Sequence, residues 1–172
     1  MMKKIGWAVT GAGHLIREIL DLAAARGDVE LFLSRSAVEI LKMYKLDAAA
    51  MGVKIHTDTL ASAPVCGKFA VGHYRGLVVA PASANSVAKF VTGVADTLVT
   101  NIFAQAGKAR LPVVVFPTDV APQMETVSPS GPVTVYPRKI DLENTERLAA
   151  FEGVTVVRSL DELRRALERV FP

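Results

Sequence analysis

Residues 76–89 read Gly76-Leu77-Val78-Val79-Ala80-Pro81-Ala82-Ser83-Ala84-Asn85-Ser86-Val87-Ala88-Lys89. The first five residues form a short apolar run, which is typical of a buried strand in a parallel sheet. The small and polar residues that follow stand where such a strand gives way to a helix. Free backbone N–H groups and the positive end of a helix can hold an anion or the polar edge of a ring. Asn85 adds an amide that both donates and accepts hydrogen bonds.

A second junction of this kind lies near the amino end of the chain. The loop Thr10-Gly11-Ala12-Gly13-His14 follows the first predicted strand, residues 4–10. By itself this loop fits a tight structural turn, a classical NAD site or a site for another phosphate-bearing group. The NAD fingerprint is incomplete, because Ile16 replaces its third small residue and no acidic residue follows the second predicted strand. Two polar loops at strand ends favour a nucleotide or flavin site over a purely structural protein.

Predicted strands and helices alternate along the chain. This rhythm predicts an α/β fold in three layers, a parallel sheet with helices on both faces. The predicted strands are residues 4–10, 29–33, 53–55, 77–80, 112–116 and 154–157. The predicted helices are residues 14–26, 34 or 36 to about 50, 85–91, 97–107, 141–151 and 159–170.

We expect one domain over residues 1–172, with residues 118–140 as a loop or lid insertion. Prolines and a glycine concentrate between residues 117 and 132, which predicts an extended loop. Residues 133–136 are a candidate extra strand. Ser159, with Glu162 three residues later, fits a capping box at the start of the last helix.

The composition excludes several classes of protein. The formal net charge is +3 and the basic residues are scattered, so we expect no nucleic-acid partner. No run approaches about 20 apolar residues and no leader pattern is present, so we expect no membrane span and a cytoplasmic protein. Cys66 is the only cysteine, and His14, His56 and His73 have no metal-ligand spacing. We therefore expect no disulfide and no metal site, and Cys66 is interpreted as a buried or incidental thiol.

Other candidate residues allow two interpretations each. Ser34-Arg35-Ser36 offers hydroxyls, a guanidinium and a helix end to a phosphate, or simply caps a helix. His14 lies beside the presumed ligand, or is a surface or structural histidine. Thr100 and Asn101, one turn into a predicted helix, face either the ligand or a neighbouring subunit.

Two segments together resemble the signature of a known superfamily. They are residues 81–89, quoted above, and Gly93-Val94-Ala95-Asp96-Thr97-Leu98-Val99-Thr100. They resemble the flavoprotein superfamily of homo-oligomeric flavin-containing cysteine decarboxylases, which includes flavin prenyltransferases and archaeoflavoproteins. The similarity extends over about residues 3–117, with the glycine loop, a Ser-x-Ser-Ala loop and a Pro-x-Ser-Ala-Asn loop in the expected order. It implies a Rossmann-like or flavodoxin-like fold that binds FMN at a subunit interface in a homo-oligomer, a trimer or a trimer-based shell.

The resemblance also implies roles for individual residues. The residues that would hold the phosphate side of FMN are Gly11, Ala12, Gly13, Ser34 and Ser36. Those that would line the isoalloxazine ring and the substrate are Ala82, Ser83, Ala84 and Asn85. His14 and Thr100 complete the predicted cofactor contacts.

Departures from the superfamily pattern favour one branch. Pro117-Thr118-Asp119-Val120 stands where the decarboxylases carry Pro-Ala-Met-Asn, and Gly72-His73-Tyr74-Arg75-Gly76-Leu77 matches their catalytic His-x-x-Leu context only in part. Decarboxylation of a cysteine-containing substrate is therefore disfavoured. Residues 10–15 and the segment 136–145 instead resemble the archaeoflavoprotein branch, which includes flavin-dependent dihydromethanopterin reductases.

The resemblance thus implies an FMN-dependent oxidoreductase that reduces dihydromethanopterin, or a related dihydropterin, by hydride transfer from reduced flavin. The predicted catalytic residues are Asn85, which would hydrogen-bond the flavin or the pterin, and His14 and Tyr74 as proton sources. Arg138 and Lys139 would attract the acidic tail of a methanopterin. The alternatives are a ferredoxin-linked electron-transfer flavoprotein and, less favoured, a flavin-dependent cysteine decarboxylase. The electron donor stays open between NADH, NADPH and a ferredoxin, as does a methanopterin or folate type of substrate.

Overall fold

Six parallel strands form the central sheet of this computed structural model, which describes residues 3–58 and 64–172. The strands are β1 (Lys4–Val9), β2 (Val29–Leu33), β3 (Lys54–Thr57), β4 (Tyr74–Ala82) and β5 (Val113–Pro117), then the antiparallel hairpin β6 (Met124–Ser128) and β7 (Gly131–Val135), and finally β8 (Val154–Val156). The sheet order is β3-β2-β1-β4-β5-β8. This order confirms the predicted Rossmann-like parallel sheet.

Seven α-helices accompany these strands in the described part of the chain. They are α1 (Ile16–Arg26), α2 (Arg35–Met43), α3 (Gly67–Ala70), α4 (Ala84–Thr92), α5 (Leu98–Lys108), α6 (Lys139–Ala149) and α7 (Leu160–Val170). None of them is long and apolar enough to cross a membrane, as judged over residues 3–58 and 64–172.

Helices cover both faces of the sheet, so the chain has two apolar cores. On β1, Trp7 packs into the core shared with α1, α2 and α7, whereas the next residue, Ala8, packs into the core shared with α3, α4 and α5. Alternate residues of a strand point to opposite faces. The near-continuous apolar runs of the central strands follow from burial on both sides, as the sequence predicted.

Cys66 belongs to the second of these cores. Burial raises the pKa of its thiol, so the thiol stays protonated. This agrees with its interpretation as a buried, unreactive cysteine.

The strand order reverses between β1 and β4. β2 and β3 lie on one side of β1, while β4, β5 and β8 follow on the other side. The helices after β1 and β4 therefore leave toward opposite faces, which opens a crevice at the carboxyl ends of these two strands. Such a crevice is where open α/β sheets bind ligands.

Some predicted elements have different bounds in the structure. The second helix, predicted to reach about residue 50, ends at Met43, because Lys45 adopts a left-handed φ of 55° and a separate 3-10 helix follows at Ala48–Met51. The helix predicted to begin at residue 141 begins at Lys139, since the Asp141 carboxylate accepts a 2.9 Å hydrogen bond from Arg138 N–H. The predicted capping box at Ser159 forms in part: Ser159 Oγ accepts from Glu162 N–H, but Glu162 accepts from Arg158 N–H instead.

The largest correction concerns the predicted loop or lid over residues 118–140. Half of it is the β6–β7 hairpin, and its last residues already belong to α6. The hairpin turn depends on Gly131, whose φ of 125° is open to glycine alone, and on Ser128, whose hydroxyl donates to the Gly131 carbonyl at 2.9 Å. Pro129 lies in this turn and Pro132 lies in β7, so proline content was a poor guide to irregular structure here.

Candidate functional site

Two adjoining pockets occupy the crevice between β1 and β4. The first, called the serine pocket, has a volume of about 260 Å³ and is lined by Gly11, Ser34, Ser36, Ser83, Asn85, Ser86, Lys89 and Thr97. The second, called the histidine pocket, has a volume of about 250 Å³ and is lined by Gly11, Ala12, Gly13, His14, Tyr44, Ser83, Thr118, Asp119, Met124, Thr126 and Val135. Gly11 and Ser83 belong to both, so the pockets are compartments of one cleft.

Thr10 joins the two strand ends that form the floor of this cleft. Its hydroxyl donates to the Pro81 carbonyl at 3.0 Å and accepts from Ser83 N–H at 2.7 Å. Three residues earlier on each strand, Trp7 Nε1–H donates to the Ala80 carbonyl at 3.0 Å. The Ala80–Pro81 peptide bond is cis. The three hydrogen bonds of Thr10 and Trp7 hold the glycine loop next to the loop that begins α4.

The serine pocket lies at two helix N-termini. Ser34 caps α2 by accepting from Ala37 N–H at 3.0 Å, and Ser83 caps α4 by accepting from Ser86 N–H at 3.3 Å. The earlier N–H groups of each first turn have no acceptor within their helix, and both helix dipoles are positive here. Two such helix ends together with serine hydroxyls form a site for a phosphate group.

Close backbone approach explains the two glycines of the loop. A Cβ atom on Gly11 would lie 2.5 Å from Ser36 Cβ, and one on Gly13 would overlap the Tyr44 ring. The loop thus brings bare backbone against the start of α2. Backbone N–H groups exposed in this way fit a phosphate and a flat ring better than side chains would.

His14 lies in the histidine pocket beside the hairpin. Its Nδ1 is 2.9 Å from Thr126 Oγ1, and its ring centroid is 6.4 Å from that of Phe116. Burial lowers the pKa of His14, although the Asp119 and Glu18 carboxylates act in the opposite direction. The imidazole is therefore biased toward its neutral form, which can donate one proton and accept another.

Tyr44 makes a second contact to the hairpin. Its hydroxyl donates to the Val127 carbonyl at 2.9 Å, one residue from the contact of His14 with Thr126. Both contacts fall on β6, so the hairpin is attached to the glycine loop and to the end of α2. Met124, Thr126 and Val135 of the hairpin form one wall of the pocket.

Sequence analysis did not identify Asp119 as a site residue. It is the second residue after β5, at the third strand end of the same sheet edge, and it lines the histidine pocket. Burial, and next the Asp141 carboxylate, raise the pKa of Asp119, while the Thr118 hydroxyl, Ala84 N–H and His14 offset part of the effect. Its position after a buried strand was the available signal.

Most of the predicted cofactor contacts come together in this cleft. Eight of them line it: Gly11, Ala12, Gly13, His14, Ser34, Ser36, Ser83 and Asn85. Ala82 and Ala84 flank Ser83, and Ala82 itself is fully buried at the end of β4. Ser34 caps α2, as one of its two interpretations predicted, and it also lines the serine pocket.

Two predicted site residues need correction. Thr100 is only 2% exposed, and its hydroxyl accepts from Thr97 N–H at 2.9 Å inside the capping box of α5, so Thr97 rather than Thr100 lines the pocket. Tyr74 begins β4, whereas the cleft lies beyond its end at Ser83, roughly 30 Å away along an extended strand. Tyr74 is fully buried and donates to Glu30 Oε2 at 2.7 Å, so it has no path to the cleft as a proton source.

Among the described residues, no group of three or more His, Cys, Asp or Glu side chains could hold a metal ion. The polar groups of the cleft are instead hydroxyls, backbone N–H groups, one imidazole, one carboxyl, the Asn85 amide and the Lys89 ammonium. This donor set fits a phosphorylated organic cofactor.

Comparisons with known proteins agree with this description. The profile of the Flavoprotein family matches residues 1–168. An uncharacterized protein of Methanocaldococcus jannaschii is 36% identical over 96% of this chain and 95% of its own length. The crystal structure of DmrB from Burkholderia xenovorans in complex with FMN, described as a cubic protein cage for redox transfer, is 42% identical and has a TM-score of 0.89, covering 97% of this chain and 94% of DmrB.

A third relative carries an enzyme name. Dihydromethanopterin reductase (acceptor) of Methanosarcina mazei is 35% identical over 69% of this chain. The match spans 56% of the length of that reductase, so this chain corresponds to little more than half of it.

Proposed function

Because this chain belongs to the Flavoprotein family, we propose that it is an FMN-dependent oxidoreductase whose substrate is a dihydropterin. The observation that carries the proposal is the two-compartment cleft, in which a phosphate pocket adjoins a partly apolar pocket at Gly11 and Ser83. Its chemistry corresponds to the two ends of FMN. The similarity to DmrB with FMN and to a dihydromethanopterin reductase supports the same cofactor and substrate class.

In this proposal the serine pocket holds the FMN phosphate. Ser36 offers its hydroxyl, and the first turns of α2 and α4 offer N–H groups and positive dipoles. Lys89 adds a positive charge at the rim, where it is paired with Asp96 at 2.8 Å. The side chain of Asn85 is exposed at the start of α4 and is proposed to hydrogen-bond the flavin edge or the pterin amide.

The histidine pocket then receives the reacting rings. Bound reduced FMN supplies a hydride, which is chemistry that no protein side chain provides. The protein orients the substrate: the hairpin forms one wall of the pocket, and His14 is proposed to handle a proton beside it. Arg138, our candidate for binding an acidic pterin tail, is engaged with Asp141 at 2.8 Å, so that role requires the ion pair to open.

We further propose that the chain assembles into a homo-oligomer. Several large apolar side chains are exposed on and after the hairpin: Val127 (64% exposed), Val133 (39%), Tyr136 (71%) and Ile140 (48%). A cluster of such residues next to a binding cleft is typical of an interface between subunits. The cage described for DmrB supports this assembly.

The decisive experiment is an anaerobic single turnover. The FMN-loaded protein is photoreduced, dihydromethanopterin is added, and flavin reoxidation is followed by its visible absorbance together with product formation. We expect rapid reoxidation with one tetrahydro product per flavin. The same experiment with dihydrofolate compares the two types of pterin, and a mixture without pterin controls for residual oxygen.

Other outcomes would contradict the proposal. If the flavin stays reduced with pterin but exchanges electrons quickly with a ferredoxin, the chain is an electron carrier, a role to which the net charge of +3 is suited. Reduction of the bound flavin by NADH, NADPH or reduced ferredoxin, tested separately, identifies the electron donor.

A further inference from the structure

Dihydropterin reduction requires a proton as well as a hydride. Tyr74 lies outside the cleft, whereas Asp119 lines the histidine pocket beside His14. We propose that Asp119 is the proton donor, delivering its proton to the pterin nitrogen from the wall of the histidine pocket. The inference rests on the proposed function, which it deepens by assigning the acid of the reaction.

The position of Asp119 follows from strand pairing. Ala82 of β4 pairs with Pro117 of β5, and Thr118 N–H donates to the Ala82 carbonyl at 3.0 Å. Asp119 is therefore held next to the loop that begins α4. It lines the histidine pocket together with His14, Ser83 and the glycine loop, so three strand ends contribute to one wall.

The backbone of Asp119 is anchored from behind. Its carbonyl accepts a 3.1 Å hydrogen bond from the hydroxyl of Thr145, a residue of α6 that is only 2% exposed. The Thr118 hydroxyl also donates to Asp119 Oδ2, at 3.4 Å. The main chain of Asp119 is thus fixed by α6, while its carboxyl group contacts the Thr118 hydroxyl and Ala84 N–H at the edge of the pocket that it lines.

The charged and titratable groups around Asp119 come from three elements. They are His14 of the glycine loop, Tyr44 after α2, and Asp141 and Arg138 at the start of α6. Arg138 is committed to Asp141, with contacts of 2.8 and 3.0 Å. No ion pair of Asp119 occurs in the part of the chain that the structure describes.

This environment favours the protonated carboxyl. Burial and the Asp141 carboxylate hold the pKa of Asp119 above its ordinary value, and no paired cation reverses the shift. A carboxyl group whose pKa is raised, in a pocket beside the proposed site of the reacting rings, is suited to general acid catalysis.

In the proposed step, a proton passes from Asp119 to the pterin nitrogen. The O–H bond of Asp119 breaks, its electron pair stays on the carboxylate, and an N–H bond forms at the nitrogen of the pterin C=N group. The adjacent carbon takes the hydride that the reduced flavin supplies. The Asp119 carboxylate, near His14, regains a proton from water before the next turnover.

The test compares wild-type protein with Asp119→Asn, which keeps the shape and loses the acid. Single-turnover pterin reduction is measured across pH in both. General acids contribute about 10²–10⁴-fold, so we expect Asp119→Asn to slow the reduction by at least about 10²-fold. In the wild type the rate of pterin reduction should fall as pH rises through the pKa of Asp119. In the variant this fall with pH should be absent. Asp161→Asn, at an exposed aspartate on α7, is the matched control and should behave as wild type.

A second measurement does not depend on turnover. The side-chain carboxyls of flavin-free protein, labelled with ¹³C-aspartate, are titrated by NMR, and the Asp119 signal is assigned by its loss in Asp119→Asn. We expect this carboxyl to titrate above the ordinary aspartate range. An ordinary titration midpoint, or an unchanged rate and pH profile in Asp119→Asn while wild type reduces the pterin, overturns the assignment and leaves the proposed function intact. If wild type itself fails to reduce the pterin, the proposed function fails, and the assignment fails with it.

Discussion

The hydroxyl of Thr10 accepts a 2.7 Å hydrogen bond from the backbone N–H of Ser83. The two residues are 73 positions apart in the chain, yet they end the neighbouring strands β1 and β4. The same hydroxyl donates to the Pro81 carbonyl, so one side chain at the end of β1 satisfies two backbone groups at the end of β4. The relative position of the glycine loop and of the α4 N-terminus therefore depends on Thr10.

Replacing Thr10 by Val should destabilise the protein and weaken FMN binding. Thr10 is 1% exposed, and valine keeps its shape but leaves Ser83 N–H without its acceptor, at a cost of about 1–3 kcal/mol. Urea unfolding and a flavin titration measure the two effects. Thr92→Val is the control, since the exposed Thr92 hydroxyl bonds only its own helix, to Ala88 O; its change should stay within about 0.5 kcal/mol. Equal losses of stability and of FMN affinity in both variants would show that the hydrogen bond from Ser83 N–H to Thr10 is unimportant.

Gly13→Ala should disturb the pocket through Tyr44. The φ of Gly13 lies outside the left-handed region, so the cost is purely steric, and overpacking of this kind costs about 1–3 kcal/mol. In a Tyr44→Ala background the same substitution should cost much less, which a double-mutant cycle by urea unfolding detects. Gly107→Ala in α5 meets no atom within 4 Å and should stabilise by about 0.5–1 kcal/mol. If Gly13→Ala destabilises the Tyr44→Ala protein as much as it destabilises wild type, the steric explanation is wrong.

Ser36→Ala should weaken FMN binding by about 10- to 100-fold, as expected for a lost hydrogen bond to a charged group. Riboflavin, which lacks the phosphate, should bind both proteins equally. Ser34 rather than Ser36 caps α2, so the substitution leaves the helix cap intact. Flavin fluorescence titrations measure the affinities, with Ser130→Ala in the exposed hairpin turn as the control. If Ser36→Ala weakens the binding of FMN and of riboflavin equally, the FMN phosphate does not bind at Ser36.

Tyr74→Phe should reduce stability and leave FMN affinity and turnover unchanged. Burial acts to raise the pKa of Glu30, but hydrogen bonds from His56 and Tyr74 outweigh it, so the pKa lies below the ordinary 4.5. A group with a lowered pKa stabilises the fold above its unfolded pKa, and this stabilisation is lost as pH falls through the folded value. The variant should lose about 1.5–3 kcal/mol at neutral pH. The difference should shrink below pH 4.5.

Urea unfolding at several pH values measures this difference. Thr92→Val, which removes an exposed hydroxyl that bonds only within α4, serves as the control and should unfold as wild type does at every pH. A loss of turnover in stable Tyr74→Phe would restore Tyr74 as a proton source.

Much of the architecture was accessible from residue patterns. The strand predicted at residues 29–33 coincides with β2, and the helix predicted at 97–107 differs from α5 by one residue at each end. Both are strongly patterned segments whose burial is set by local sequence. The family resemblance, carried by the loop at residues 81–89, was confirmed by the match over residues 1–168.

The failures have a common physical cause. Tyr74 and Thr100 are polar residues close in sequence to the predicted loops. The Tyr74 hydroxyl, however, bonds Glu30 far from the cleft, and the Thr100 hydroxyl is buried in the capping box of α5 behind Thr97. Nearness along the chain does not reveal which end of a strand or which side of a helix a residue occupies. The candidate strand at residues 133–136 overlaps β7, but its partner β6 was predicted as loop. Two short, partly exposed strands have weak patterns, and their order comes from pairing and from contacts to His14 and Tyr44.

Local sequence was enough to predict the α/β alternation, the two polar loops and the serines at helix starts, because strand burial, glycine turns and caps depend on residues a few positions apart. The assembly of the cleft is different. The strand order brings Gly11, Ser83 and Asp119 from three distant strand ends to one sheet edge and leaves Tyr74 at the other. The raised pKa of Asp119 likewise results from burial and from Asp141, which is remote in sequence. Proximity and electrostatic environment are properties of the packed chain, so they followed only from its tertiary structure.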